Sequence, residues 1–113
     1  MVEKQPISDT KLLQAVADPL RLRIVRQLAQ LGAVCACDIA ASYQVSQPTV
    51  SHHLRVLREA GWVTGERRGT WIWYSVRPNA VARLRQISEA LEPLGEPTPR
   101  LPRLRVLQPP APG

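Results

Sequence analysis

The chain has no run of about 18 apolar residues, the length that a membrane-spanning helix needs, and no span is expected. Its opening residues, M-V-E-K-Q-P-I-S-D, lack the basic-then-apolar layout of a signal peptide, so a cytoplasmic location is expected. Cysteine is absent except at Cys35 and Cys37. That excludes a disulfide framework. Separated by one residue, the pair would close a loop too small to constrain the unfolded chain, so the two are poor candidates for a structural disulfide. In a cytosolic protein, close cysteines more often mean metal or redox chemistry. Paired carboxylates, a nucleophile–base arrangement and a phosphate-cradling glycine loop are all missing, which argues against an enzyme. Acidic residues are scarce: nine against 15 Lys and Arg, a net charge of +6. The imbalance favours an anionic partner, most commonly nucleic acid. At 113 residues without internal repeats, one domain is expected.

Helix signals follow in order. Residues 1–7 read as a disordered lead. Ser8 caps a first helix with Leu12, Leu13 and Val16 on its apolar face, running to about Ala17. Asp18-Pro19 starts a second, an N-cap followed by proline at the first helical position. Its stripe is Leu20, Ile24, Leu28 and Leu31, and Gly32 ends it. A short helix is expected from near Asp38 to Tyr43, then a turn at Gln44-Val45. Ser46 caps the next helix, with Pro48 in its first turn, where a missing N–H costs little. Gly61 ends it. Two β-prone runs then flank E-R-R-G, which predicts a hairpin with a basic tip. Val81, Leu84, Ile87 and Leu91 form a last helical stripe, ended by Pro93. Seven of the 11 prolines lie from Pro93 onward, so 93–113 reads as a disordered basic tail. The domain proper is then 8–92. It is mostly α with a β-hairpin after a helix–turn–helix, which is the winged-helix order.

The helix after Ser46 has the make-up of a DNA reader. Val50, Leu54 and Leu57 share one face. At about 100° per residue, the polar residues turn away from it. Ser46 and Gln47 stand at its N-terminal end, and Gln47 can pair bidentately with adenine. Thr49, Ser51 and His52 are short enough for the major groove, and Arg55 reaches a phosphate or guanine. Arg67 and Arg68 at the hairpin tip suit contacts to the DNA backbone or minor groove. His53 lies at the core edge and is as well suited to packing as to DNA.

Four stretches carry a family resemblance: A-D-P-L-R-L-R-I-V-R-Q-L, V-C-A-C-D-I-A, V-S-Q-P-T-V-S-H-H-L-R-V-L-R-E-A-G-W-V and E-R-R-G-T-W-I-W-Y-S-V. Together, over roughly Leu12 to Leu91, the chain resembles the ArsR/SmtB family of bacterial metal-responsive repressors. The resemblance implies a homodimeric winged-helix repressor that binds a palindromic operator when empty and releases it when metal binds. It also implies a dimer interface on the first and last helices, assigning to it Leu12, Leu13 and Val16 with Val81, Leu84, Ile87 and Leu91.

The C-x-C-D of the arsenic- and cadmium-responsive branches is matched by Cys35-Ala36-Cys37-Asp38, which the resemblance makes the metal site. Thiolates suit soft, thiophilic ions independently of family. The third cysteine of some arsenic-responsive relatives is here Ala40. Two thiolates leave As(III) or Sb(III) one ligand short, whereas a methylated As(III) needs only two. Both stay open as inducers, with no constitutive cofactor expected. The same fold responding to Cd/Pb or to thiol oxidation is an alternative, and a small metal- or redox-handling thiol protein is another. In a regular helix, residues i and i+2 point about 200° apart, so two sulfurs there cannot hold one ion. Either the segment is non-helical at the cysteines, or binding unwinds it.

Overall fold

The computed structural model describes residues 7–93 and 95. The remainder of the expected lead and tail, and Leu94, lie outside the described residues. The elements are α1 (Asp9–Ala15), α2 (Pro19–Leu31), β1 (Val34–Cys35), α3 (Ala36–Tyr43), α4 (Gln47–Ala60), β2 (Val63–Arg68), β3 (Trp71–Val76) and α5 (Pro78–Ala90). One three-stranded antiparallel sheet has the order β1-β3-β2. Among the described residues no helix is long and apolar enough to cross a membrane.

The caps act as the sequence dictates. Ser8, Asp18 and Ser46 accept the backbone N–H of Lys11, Arg21 and Thr49, each three residues ahead, so each silences one orphan donor of its helix. Gln44 turns left-handed at φ 56° and makes the bend between α3 and α4.

Four expectations need correction. α3 begins at Ala36 rather than near Asp38, with Cys35 as its N-cap and Asp38 in its first turn. The hairpin does not turn at E-R-R-G. Glu66, Arg67 and Arg68 belong to β2, and the two-residue loop is Gly69-Thr70, with Arg68 paired to Trp71. Gly69 sits at φ 68°, which glycine adopts freely and which this tight loop requires. α5 ends at Ala90, leaving Leu91 as its C-cap. Ile7, assigned to the lead, packs against the core.

The core gathers Leu12 and Ala15 of α1, Ile24, Val25 and Leu28 of α2, Ile39 and Ala40 of α3, and Val50, Leu54, Leu57 and Ala60 of α4. Val34, Trp62, Val63 and Ala80 complete it. Leu31 lies at the end of α2 and is exposed, so the α2 stripe loses its last member to solvent. Gly65 lets the hairpin close, because a Cβ there would meet Tyr74 Cε1 at 3.0 Å and Ile72 Cγ2 at 3.1 Å.

Trp62 ties three helices together. Its backbone N–H donates to the Leu57 carbonyl at 2.9 Å, and its carbonyl accepts from Arg77 N–H at 2.8 Å at the head of α5. The buried indole Nε1–H donates to the Leu12 carbonyl at 2.8 Å. That carbonyl lies in the last turn of α1, where Val16 N–H bonds Leu13 instead. Trp62→Phe keeps a large ring and removes the donor, leaving a buried acceptor unmet. It should lower the unfolding free energy by about 1–3 kcal/mol. Urea denaturation measures this, and an unchanged midpoint would show that the bond contributes nothing.

Candidate nucleic-acid interface and dithiol site

α4 divides as its sequence requires. Val50, Leu54, Leu57 and Ala60 are buried, while Ser46, Gln47, Thr49, Ser51, His52 and Arg55 are all exposed. Gln47, Ser51 and Arg55 recur every four residues and form one stripe, with His52 and then Thr49 farther round the exposed side. Ser46 is mainly a cap: its hydroxyl accepts Thr49 N–H at 3.2 Å and donates to Thr49 Oγ1 at 2.9 Å. The structure therefore brings six polar candidates onto one open helix face and fixes two of them locally.

The two wing arginines part company. Successive residues of a strand face opposite sides, so Arg67 shares a face with its partner Ile72 and Arg68 with Trp71. Arg68 is engaged: its guanidinium lies 3.3 Å from Glu66 and 4.9 Å above the Trp73 ring. Arg67 has no ion pair among the described residues.

His53 is a structural residue. Arg21 NH1 donates to its Nδ1 at 3.2 Å, while Arg21 Nε donates to the Ala15 carbonyl at 2.7 Å. The same arginine's backbone N–H caps onto Asp18. One guanidinium thus joins the end of α1 and the start of α2 to the middle of α4. Because arginine can only donate, the bond fixes the neutral His53 tautomer with its proton on Nε2. The sequence allowed a packing role but held no sign of Arg21 as the partner.

The cysteines stand where α2 hands over to α3. Gly32 closes α2, and the chain then extends through Val34 and Cys35, which pair with Tyr74 and Trp73 of β3. Pairing holds Cys35 at φ −71°, ψ 142°, outside the helix, and its Sγ accepts the Cys37 N–H at 3.3 Å. The Cα atoms are 5.3 Å apart and the two sulfurs are joined in a disulfide. The loop it closes holds a single residue and constrains little, so the bond is no structural staple. It also decides between the two geometries left open: the segment is non-helical at Cys35, so α3 need not unwind for the sulfurs to meet. Cys35 is 3 % exposed and Cys37 half-buried. Ala40 is buried in the core. Among the described residues no group of three or more His, Cys, Asp or Glu side chains is placed to hold a metal ion. Once reduced, the pair would offer two soft sulfurs and no third donor among the described residues. One residue beside it that the sequence reading did not connect to the pair is Trp73, the cross-strand neighbour of Cys35. A two-residue strand is too short for alternation to reveal.

The residues assigned to a dimer interface divide. Leu13 and Leu91 are 40 % and 77 % exposed, and available. Val16, Val81, Leu84 and Ile87 are half-buried against the core. Leu12 is wholly buried, which removes it from the interface: it faces inward and has no surface to offer. α1 and α5 are clasped by Arg83, which donates from Nε to Asp9 Oδ1 at 2.7 Å and from NH2 to Oδ2 at 2.8 Å. The bidentate guanidinium holds the Asp9 carboxyl below its usual value.

A capped, amphipathic second helix after a left-handed turn, followed by a two-stranded hairpin, defines a winged helix–turn–helix protein. Solved structures of that class superpose on it. One is a possible transcriptional regulator for arsenical resistance, 32 % identical, covering 88 % of this chain and 97 % of its own, with a TM-score of 0.66. Another is a homodimeric winged helix–turn–helix DNA-binding domain from Mycobacterium bovis, a possible ArsR-family regulator, 30 % identical over 74 % of this chain and 76 % of its own, TM-score 0.62. The arsenical resistance operon repressor of Bacillus subtilis is 38 % identical over 69 % of this chain and 72 % of its own length. The family model for bacterial regulatory proteins of the arsR family matches residues 18–64. The chain belongs to the ArsR family of transcriptional regulators.

The His53 contact carries a pH dependence. Burial lowers its pKa from the usual 6.5, Asp18 opposes that, and the charges of Arg21 and His52 add to the lowering. The folded state therefore binds its proton less readily than the unfolded chain. The stability His53 contributes is complete above pH about 6.5 and falls as pH drops below it. Wild-type protein should lose more stability between pH 7.5 and 5 than His53→Gln, measured by urea denaturation at each pH. Parallel losses would refute the assignment.

Proposed function

We propose that the protein is a homodimeric transcriptional repressor that leaves its operator when a trivalent arsenical binds Cys35 and Cys37. The observation that carries this reading is the meeting of the two sulfurs at the head of α3, one helix before the reader. Relatives named as arsenical resistance repressors support it. Ser46, Gln47, Thr49, Ser51, His52 and Arg55 face the major groove of a palindromic operator, with Ser46 chiefly holding the helix end. Leu13 and Leu91 lead the contact with a second copy, backed by Val16, Val81, Leu84 and Ile87. In the reduced protein, binding of a monosubstituted arsenous acid exchanges two As–O bonds for two As–S bonds and releases two waters. The two-sulfur donor set favours such an organic arsenical over inorganic As(III) or Sb(III), because no third donor group is present among the described residues. Operator binding titrated in parallel with arsenite, methylarsenite, antimonite, cadmium, lead, zinc and peroxide, under thiol-reducing conditions except for peroxide, tests the order. Release by cadmium, lead or peroxide alone would replace arsenic with those signals. Absence of any specific DNA complex would leave a thiol-handling protein.

Two outcomes are expected of variants. Cys35→Ser or Cys37→Ser should bind operator as wild type does and fail to release it at arsenical concentrations that clear the wild type, read by gel shift. Release of both variants would exclude the sulfurs as the sensor. Arg67→Ala should reduce the slope of log K against log salt by about 0.9, the value for one phosphate contact. Arg68→Ala should reduce it less, since Glu66 already offsets that charge. Equal slopes for wild type and Arg67→Ala would remove the wing from the phosphate contacts.

A further inference from the structure

Arg23, Arg26, Gln27 and Gln30 recur on α2 at helical spacing, on the face turned away from Ile24, Val25 and Leu28. Across from them lie Ser42 and Tyr43 in the last turn of α3. These six residues line a shallow, open groove of about 460 Å³ with no acidic side chain in its wall. Its organisation is specific. The Tyr43 hydroxyl donates to Gln27 Oε1 at 2.6 Å, which fixes the ring, and the Arg23 guanidinium lies 4.9 Å above that ring. A cation held over an aromatic face is restrained before any ligand arrives. Neither Arg23 nor Arg26 forms an ion pair among the described residues. The contrast is Arg21 on the same helix, whose donors are consumed by Ala15 and His53. Two arginines are thus displayed, one of them already oriented, where the fold has no use for their charge.

The groove's place in the fold selects the ligand. Tyr43 precedes the α4 cap, Ser46, by three residues, at most about 11 Å of chain, and Gln44 and Val45 make the turn between them. When a recognition helix enters the major groove by its N-terminal end, the helix before it crosses the sugar–phosphate backbone. We infer that the α2–α3 groove is a second phosphate-contacting surface, in which Arg23 and Arg26 grip the operator backbone flanking the segment that α4 reads. The inference rests on α4 being the DNA reader. Its ligand is the phosphodiester backbone, so it adds affinity and orientation without base preference.

The test is the salt dependence of binding by Arg23→Ala/Arg26→Ala, with operator and unrelated duplexes. Two lost contacts should lower the slope by about 1.8, so a fourfold rise in salt should weaken wild type about 12-fold more than the variant. The slope should fall equally on both duplexes, and Arg23→Lys/Arg26→Lys should restore it. An unchanged slope in a variant that still binds operator overturns the inference while leaving α4 as the reader. A wild type that binds neither duplex overturns both. Loss confined to operator overturns it too, assigning the arginines to bases. Unchanged DNA binding with weakened repression in a transcription reaction would also overturn it, giving the groove to a protein partner.

Discussion

The backbone pairing of Val34 and Cys35 with Tyr74 and Trp73 is the constraint on which the geometry of the sulfur pair depends. Without it, the chain after Gly32 could continue toward helix, and two side chains separated by one residue would point apart. With it, Cys35 stays extended, caps α3, and meets Cys37. The same pairing fastens β3, and through it the wing, to the head of α3. Cys35, Trp73 and Glu66 fall in one register across the three strands, and Arg68 stacks on Trp73. A row of contacts therefore runs from the sulfur pair into the wing. So short a strand contributes few hydrogen bonds, each worth about 0.5–1.5 kcal/mol. Allosteric couplings are typically about 1–3 kcal/mol. A link of this size can be broken by a ligand without unfolding the domain.

The second helix of the helix–turn–helix, α4, is held more firmly. Four buried residues dock α4, Trp62 closes its C-terminal end onto α1 and α5, and Arg21 reaches His53 from the α1–α2 junction. The helix is anchored at its middle and its end, while its N-terminal turn projects freely with Gln47 and Thr49. The bend at Gln44 joins that turn to α3, which begins at Ala36 with Cys35 as its cap. Under the proposed function, a change at the cysteines would pass along α3 to the N-terminal end of α4, with the anchors elsewhere keeping it local.

Much of this was legible in the chain. Asp18-Pro19, Ser46 with Pro48, and Gly61 are local signals whose physics lies within one turn of backbone, and each does what its side chain dictates. The polar and apolar faces of α4 follow from periodicity alone. What escaped depends on contacts distant in sequence. β1 exists only because β3 offers it an edge, some 40 residues away. That pairing moved the α3 start from Asp38 to Ala36 and brought the sulfurs together. Likewise Leu12 and Leu13 are equal as apolar residues on a terminal helix, and only the packed core shows that one is buried and the other presented. The turn at Gly69-Thr70 was misplaced because E-R-R-G looks polar enough to be a loop, while Gly65 opposite Tyr74 sets the register that makes it a strand.

The count of sulfurs bears on ligand class more than their spacing does. Position 40 lies one helical turn beyond Cys37, so a sulfur there would stand beside the pair, yet Ala40 is 6 % exposed and packs in the core. With alanine there, the pair stands alone at the head of α3, Cys35 buried and Cys37 half-buried, with Trp73 across the strand. For the ligand proposed above, a trivalent centre held by two sulfurs keeps one further valence. An alkyl or aryl carbon already fills it, whereas in an inorganic ion it is left for a third donor that Ala40 does not supply.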